Sequence, residues 1–209
     1  MAEVELGILK GQCPDRHFPT RLNRNNLVIM KLSGGHMDII TVLGGGNGGC
    51  TLAADLSNRG YTVNLGELPS FEKSIAPVIE KRGITFAGAI GEGIAKLNKA
   101  TANIEEAIKG ARLILLSVPA FAQGSFAHAC APFLEDGQIV VLVTGYMGSL
   151  EFSKILKLRA AEKKIILAET NTLPYGTRIK GPALVDVAYR TGISLSAFPS
   201  KYTAEVMDA

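Results

Sequence analysis

Short apolar runs alternate with longer amphipathic segments along most of the chain, which is the pattern of strands followed by helices. Three runs, Ile39–Leu43, 113–118 and 139–143, are almost entirely apolar, as is typical of strands buried on both faces of a parallel sheet. Weaker runs predict further strands at residues 61–65, 83–87, 95–100, 165–168 and 183–187.

Helices are predicted between these strands at residues 48–59, Glu72–Lys81, 107–109, 122–134 and 150–161. Pro77 is expected to interrupt the second helix, because proline lacks the N–H that the helix needs. Gly60 is placed to end the first helix, and Asn103, with a glutamate three residues on, matches a helix N-cap. Asp55 and Arg59, four residues apart, are expected to pair on the outer face of the first helix.

This alternation predicts an α/β fold with an open, mainly parallel, doubly wound sheet and right-handed crossovers. Ligands of such sheets bind beyond the carboxyl ends of the strands, where the strand order reverses. The predicted strand ends carry polar or glycine-rich segments at residues 44–49, 67, 117–119, 144–145 and 169–171. Their convergence on one edge predicts a ligand site there.

The most specific motif is the glycine loop that follows the first strand. Gly44, Gly46 and Gly49 form a G-x-G-x-x-G pattern between Ile39–Leu43 and the first predicted helix. The first glycine allows the tight turn, the second lets a diphosphate approach the main chain, and the third lets helix and sheet pack closely. The free N–H groups and partial positive charge of the helix N-terminus favour phosphate, and Asn47 and Gly48 lie in that first turn. We therefore expect a dinucleotide, although glycine loops also bind FAD or S-adenosylmethionine, and some bind nothing.

Glu67 ends the second predicted strand, 18 residues after Gly49. A carboxylate at this position can accept hydrogen bonds from the ribose hydroxyls on the adenine side of a dinucleotide. Its charge would repel a 2′-phosphate, so NAD is predicted over NADP. Lys73 could offset that repulsion, which leaves NADP possible.

Four more residues are candidates for cofactor binding because they follow predicted strands. Val118 and Pro119 would shape the nicotinamide side of the cleft, although an ordinary strand end would look the same. Glu169 and Asn171 lie in the polar segment 169–175 and are weaker candidates. The sequence shows no Ser-His-Asp set and no paired catalytic carboxylates, and His128 lies in a helix-like segment where a surface or core role is expected.

Length, composition, net charge and cysteine content limit the kinds of protein that this chain can be. The 209 residues are 47% hydrophobic, enough for one domain with a sizeable core, and the net charge of +3 gives no reason to expect nucleic acid as a partner. No apolar run approaches the length of a membrane span. The three cysteines are far apart and form no metal pattern or disulfide framework, which predicts a cytoplasmic protein.

The predicted domain boundaries follow from periodicity. Residues 1–36 lack helix or strand periodicity and are expected to be an irregular extension, with Met37 as the functional start of the fold. Residues 37–199 would form the dinucleotide-binding domain. Residues 200–209 would be a linker or the truncated start of a second domain.

The chain resembles the opine dehydrogenases of the octopine and nopaline type over about residues 38–199. The resemblance rests on the Gly-Gly-Gly-Asn-Gly-Gly loop at 44–49, the segments 115–120 and 136–140, and the Ala-Glu-Thr-Asn-Thr-Leu-Pro-Tyr block at 168–175. It implies a Rossmann-type domain for NAD or NADP. It also implies a reductive condensation, in which hydride is transferred to the imine of an amino acid and a 2-oxo acid.

In this family a second, helical domain supplies the substrate site and the acid–base histidine, and we expect that domain to be absent from this chain. The resemblance therefore implies cofactor residues only, and a chain that is incomplete for catalysis alone. Its partners would be a nicotinamide dinucleotide and either a separately encoded helical domain or a second copy. Two alternatives stay open: a stand-alone NAD(H)-binding or sensing module, and a fragment of another two-domain nicotinamide enzyme that resembles ketopantoate reductase or glycerol-3-phosphate dehydrogenase.

Overall fold

The computed structural model describes residues 39–160 and 162–208. The expected extension at 1–36 and the expected start at Met37 lie outside the described residues. The strands are β1 Ile39–Leu43, β2 Thr62–Gly66, β3 Gly83–Gly88, β4 Gly93–Lys96, β5 Lys99–Thr101, β6 Ala111–Leu116, β7 Ile139–Leu142, β8 Ile166–Thr170, β9 Tyr175–Gly181, β10 Leu184–Arg190 and β11 Leu195–Phe198. The helices are α1 Asn47–Asn58, α2 Glu72–Lys81, α3 Ile104–Ile108, α4 Ala120–Cys130, α5 Gly148–Arg159 and α6 Thr203–Asp208.

The larger sheet has seven strands in the order β11-β8-β7-β6-β1-β2-β5. All of its pairs are parallel except β11 with β8. Without β11, the order of the strands across the sheet is that of a doubly wound Rossmann sheet. The order reverses between β1 and β6. The predicted fold class is therefore confirmed, and the carboxyl ends of β1, β2 and β6 meet at one edge.

Helices cover both faces of this sheet. α1 and α2 lie on one face in a core cluster with β1, β2 and the second sheet, and α3, α4 and α5 pack on the other face. Central strands are apolar because both of their faces are covered: Val42 of β1 is fully buried between Leu65 and Leu115 of its neighbours. In the described part of the chain, no helix has the length and apolarity to cross a bilayer.

A second sheet, which the sequence did not predict, packs against α1. It has four strands in the order β4-β3-β10-β9, with β3 parallel to β10 and the outer pairs antiparallel. α1 is therefore enclosed between two sheets, and eight of its twelve residues, Gly49 to Leu56, are buried. This enclosure fixes the helix whose N-terminus follows the glycine loop.

Two predicted elements differ in the structure. The single strand expected at 95–100 is two strands in different sheets, because the chain crosses over at Leu97 and Asn98: the N–H of Leu97 donates to Arg82, and that of Asn98 donates to Val63. The interruption expected at Pro77 is also wrong, since α2 runs through it. One lost hydrogen bond in a ten-residue helix is outweighed by the burial of Ile75 and Val78.

The Asp55–Arg59 pair forms, but not on an outer face. Asp55 is fully buried between α1 and the second sheet, where its carboxylate accepts hydrogen bonds from Arg59, Arg190 and Tyr175. The helix cap at Asn103 is confirmed, since its side chain accepts from the N–H of Glu106. A buried carboxylate such as that of Asp55 requires partners, and two of them come from the second sheet. The four-residue spacing between Asp55 and Arg59 gives no sign of these partners.

Candidate nucleotide-binding site

Gly44 makes the turn that leads out of β1. Its φ of +103° is in the region that favours glycine, and a Cβ there would lie 2.5 Å from the Ser117 carbonyl oxygen and 2.5 Å from Cγ1 of Val118. The Gly44 N–H donates to the Gly66 carbonyl at 2.9 Å, which ties the turn to β2. The first glycine of the motif is thus required by the fold itself.

The other two glycines of the motif differ in what surrounds them. A Cβ at Gly49 would overlap the Gly44 carbonyl oxygen, so this residue allows α1 to pack against the end of β1. A Cβ at Gly46 would meet no protein atom within 4 Å, and Gly46 is exposed. Packing therefore explains Gly49, whereas the space over Gly46 is open to a ligand.

The N-terminus of α1 is built to accept an anion. Gly46 is the N-cap residue and has no side chain that could bond to the N–H groups of the first turn. The first turn also holds no acidic residue. The N–H groups of a first helical turn have no partner within the helix, and they carry the positive end of its dipole. A diphosphate over Gly46 would meet these donors, so the residues present fit a dinucleotide.

Glu67 lies beside the loop, directly after β2. Its Oε2 accepts the Gly45 N–H at 2.7 Å, and its Oε1 accepts the Leu68 N–H at 2.8 Å. The residue is 7% exposed, and each oxygen keeps a lone pair for a further donor. Burial, with a smaller contribution from the Glu67 charge, raises the pKa of the Cys50 thiol to about 12, so this cysteine stays protonated behind the loop.

Gly45 was not singled out from the sequence. Its N–H orients Glu67, and a Cβ there would overlap Cγ2 of Ile75 in α2. The signal that could have found it is its position inside the glycine motif, one residue from the turn at Gly44.

Asn47 and Gly48 occupy the first turn of α1, as predicted. The Asn47 Oδ1 accepts the Ile179 N–H at 2.7 Å, so this side chain fastens the loop to the edge of β9. A Cβ at Gly48 would lie 2.6 Å from Ser117 Oγ and 2.9 Å from Leu173 Cδ1. The absent side chain therefore brings the helix close to the end of β6 and to the segment after β8.

Val118 and Pro119 follow β6 on the same edge. Val118 packs against Gly44, and Pro119 is the N-cap residue of α4. The preceding residue, Ser117, donates its N–H to the Leu43 carbonyl at 2.9 Å, which aligns this segment with the glycine loop.

Glu169 and Asn171 lie at the end of β8, and both side chains are engaged with the protein. Glu169 accepts hydrogen bonds from Ser149 Oγ at 2.7 Å and from the Met147 N–H at 2.9 Å, which holds the start of α5. The Asn171 Oδ1 accepts the Ser194 N–H at 2.8 Å. Their predicted contact with a cofactor stays a prediction.

The same edge of the sheet exposes large apolar side chains. Phe121 is 90% exposed at the start of α4, and Tyr146 and Met147 are 75% and 69% exposed just before α5. A shallow hollow of about 560 Å³ lies between the segment after β2, the start of α3 and the C-terminal end of α4, where Ala129 and Phe133 line it. It adjoins Glu67 through Pro69 and Thr101.

Comparison with known proteins places this geometry among nicotinamide-dependent dehydrogenases. The model of the family described as NAD-dependent glycerol-3-phosphate dehydrogenase N-terminus matches residues 39–166. An opine dehydrogenase of Arthrobacter sp. (strain 1C) is 31% identical over 161 residues, which cover 76% of this chain and 44% of that protein. A glycerol-3-phosphate dehydrogenase [NAD(P)+] of Moorella thermoacetica (strain ATCC 39073 / JCM 9320) is 36% identical over 107 residues, 49% of this chain and 30% of that protein.

A solved octopine dehydrogenase with NADH and L-arginine superposes with a TM-score of 0.66 at 26% identity. The superposition covers 77% of this chain and 42% of that one. The chain thus spans less than half the length of these three relatives.

Proposed function

The chain belongs to the family of NAD-dependent glycerol-3-phosphate dehydrogenase N-termini, and on that premise we propose that it is the nucleotide-binding half of an opine-type dehydrogenase. It is an NAD-binding Rossmann domain of the opine dehydrogenase-like or glycerol-3-phosphate dehydrogenase-like class, and its cofactor is a nicotinamide dinucleotide. The opine-type activity, the site residues and the substrates are the parts that we propose.

The observation that carries the proposal is the open space over Gly46 at the uncapped start of α1, with Glu67 alongside. We assign the diphosphate to this space and the adenine-side ribose to the Glu67 carboxylate. The adenine would lie in the hollow beside Pro69. The residues proposed to contact the dinucleotide are Gly44, Gly46, Asn47, Gly48, Gly49, Glu67, Val118 and Pro119, with Glu169 and Asn171 at the far end of the edge.

The bound dinucleotide would supply the hydride that reduces an imine of an amino acid and a 2-oxo acid. The described residues of this chain bind and orient it. Main-chain N–H groups of α1 hold the diphosphate, Glu67 fixes the ribose, and Val118 closes the apolar side of the cleft next to Gly44. These groups set the position of the nicotinamide and exclude water around it.

The extent of the similarity favours an opine-type enzyme over a glycerol-3-phosphate dehydrogenase. The opine and octopine dehydrogenase relatives match up to 81% of this chain, whereas the glycerol-3-phosphate dehydrogenases match about half. The family model itself favours the second candidate and ends at residue 166, before Glu169 and the strands β9 and β10. Both candidates need the same dinucleotide site and differ in the substrate.

Turnover would require groups from outside the described residues. His128, the histidine within residues 39–160 and 162–208, is exposed in the last turn of α4. α4 starts at the site edge, and at 1.5 Å per residue His128 lies about 12 Å along its axis from that edge. We propose that a substrate-binding part, on a separate chain or a second copy, covers Phe121, Tyr146 and Met147 and supplies the acid–base group.

The test is an NADH titration of the purified chain, followed by two assays with NADH: one with pyruvate and a panel of amino acids, the other with dihydroxyacetone phosphate. We expect saturable NADH binding without turnover. Turnover with pyruvate and an amino acid would support the opine-type reaction but would contradict the proposal that a second component supplies the acid–base group. Turnover with dihydroxyacetone phosphate instead would favour the glycerol-3-phosphate candidate, and the absence of NADH binding would overturn the proposed site.

A further inference from the structure

Ser117 differs from the other buried polar residues of the described chain in one respect. Every other buried polar or charged side chain there takes part in a hydrogen bond, whereas the Ser117 hydroxyl meets no partner in residues 39–160 or 162–208. The residues that are bonded are Thr41, Thr51, Asp55, Asn64, Glu67, Gln123, Gln138, Ser149, Thr170 and Thr177. Buried hydroxyls are normally paired, so this one calls for a partner outside the chain.

The hydroxyl keeps some accessible surface although the residue is only 8% exposed. No fully enclosed side-chain nitrogen or oxygen in the described residues lacks a partner, so the unpaired Ser117 oxygen must keep some accessible surface. It lies 2.6 Å from the place where a Cβ of Gly48 would be. Ser117 therefore faces the first turn of the twelve-residue helix α1, whose N–H groups have no partner within the helix.

We propose that Ser117 is a cofactor-binding residue whose hydroxyl donates a hydrogen bond to a phosphate oxygen of the dinucleotide. The inference rests on the proposed function and adds a side-chain donor to a site otherwise made of main-chain donors. Two independent features meet here: an uncapped helix start and an unpaired buried hydroxyl directed at it.

A phosphate oxygen fits this position better than a donor group would. The first turn of α1 holds no acidic side chain, and the carboxylate beside the loop, Glu67, is already bonded to Gly45 and Leu68. Around the space between Gly48 and Ser117 lie the first turn of α1, which has no acidic side chain, and the apolar side chain of Leu173. A hydroxyl in this space can donate to an anion without competing for an acceptor in the protein.

Removal of the Ser117 hydroxyl should affect dinucleotide binding but not the stability of the fold. Removal of a hydroxyl that has no protein partner should leave the folded chain as stable as before, or slightly more stable. The same removal should weaken the binding of a phosphate group that uses it. The matched control is Thr41→Val in β1, which removes a buried hydroxyl that does have a protein partner, the Ala107 carbonyl.

The experiment measures urea unfolding midpoints and NADH dissociation constants for the wild type, Ser117→Ala and Thr41→Val. We expect Ser117→Ala to bind NADH about tenfold more weakly with an unchanged midpoint, as for the loss of one hydrogen bond to a charged group. Thr41→Val should show the reverse, a lower midpoint with unchanged affinity. Ser117→Cys, which has the same branching but a larger and weaker donor, should also bind NADH more weakly than the wild type.

A competition titration of ADP against NADH shows which part of the dinucleotide Ser117 contacts, because ADP carries the diphosphate but no nicotinamide ribose. The affinity lost in Ser117→Ala should be the same for ADP as for NADH. An unchanged affinity for NADH, or a loss for NADH that ADP does not share, would overturn the assignment while leaving the proposed function intact. A wild-type chain that binds neither NADH nor ADP would contradict the proposed function itself, and with it the role of Ser117.

Discussion

The phenolic hydroxyl of Tyr175 donates a 2.6 Å hydrogen bond to Oδ2 of Asp55, and both residues are buried. The same carboxylate receives Arg59 from its own helix and Arg190 from β10, at 3.0 and 2.6 Å. Burial, and then the negative charge of Asp55, raise the pKa of Tyr175, so its hydroxyl remains a donor. This cluster joins α1 to β9 through Tyr175 and to β10 through Arg190, and so fixes the helix against the second sheet.

The Tyr175→Phe variant tests the hydrogen bond from Tyr175 to Asp55. It keeps the ring but removes the shorter of the two hydrogen bonds to Oδ2 of the buried Asp55 carboxylate, leaving that oxygen with the 3.2 Å bond from Arg59, which should lower the free energy of unfolding by about 1–3 kcal/mol. Urea denaturation measures the change. Tyr146→Phe, at a residue that is 75% exposed, is the control and should change nothing measurable. Equal stability of both variants would mean that Asp55 does not depend on the phenol.

Substitution by alanine should have different effects on stability at Gly46 and at Gly49. Gly49→Ala forces a methyl group against the Gly44 carbonyl and should destabilise the fold by about 1–3 kcal/mol. Gly46→Ala places its methyl in open space and should cost less than about 1 kcal/mol, because alanine is only a poorer N-cap. Thermal or urea unfolding of the two variants checks the contrast, and a costlier change at Gly46 would refute this description of the loop.

The Glu67→Gln variant tests the preference for NAD. Loss of the negative charge removes its repulsion of a 2′-phosphate, so the ratio of NADP to NAD affinity should rise by about tenfold or more. Calorimetric titration with both nucleotides measures the ratio. Glu80→Gln, an exposed acid in the last turn of α2, should leave it unchanged. If Lys73→Ala alone abolished NADP binding, Lys73 and not Glu67 would control the choice.

The buried thiols predict a loss of stability at high pH. Burial raises the pKa of Cys50 and of Cys130 from 9.0 to about 12. Between these values the folded chain holds more protons than the unfolded chain, so the stabilisation is complete below pH 9 and falls as the pH rises towards 12. Each thiol contributes a slope of up to about 1.4 kcal/mol per pH unit.

Urea midpoints at pH 8, 9 and 10 measure that slope. Cys130→Ala is the comparison, because it removes one of the two thiols while leaving the glycine loop intact. Its stability should fall less steeply with pH than that of the wild type. Parallel slopes for the two proteins would show that Cys130 titrates normally in the folded chain.

Elements fixed by local chemistry could be predicted from the sequence. The turn at Gly44, the start of α1 and the cap at Asn103 each depend on residues within a few positions, and the structure has all three. The apolar strands β6 and β7 were also found, because burial on both faces leaves an unbroken apolar run.

The second sheet could not be predicted in this way. Its central pair joins Thr85 to Leu184, nearly a hundred residues apart, and β4 and β9 are short or half-exposed and rich in glycine and charge. Asp55 shows the consequence, since its spacing to Arg59 is that of a surface pair, whereas its burial depends on Tyr175 and Arg190. Long-range pairing decides both features.

The central claim is that a dinucleotide rests its diphosphate on bare main chain at Gly46. The most direct measurement is an NADH titration of the wild type and Gly46→Val, with circular dichroism of both to compare their folds. We expect matching spectra, because the valine side chain enters open space, and a loss of NADH affinity of at least about tenfold. Unchanged affinity in a well-folded Gly46→Val protein would contradict the account.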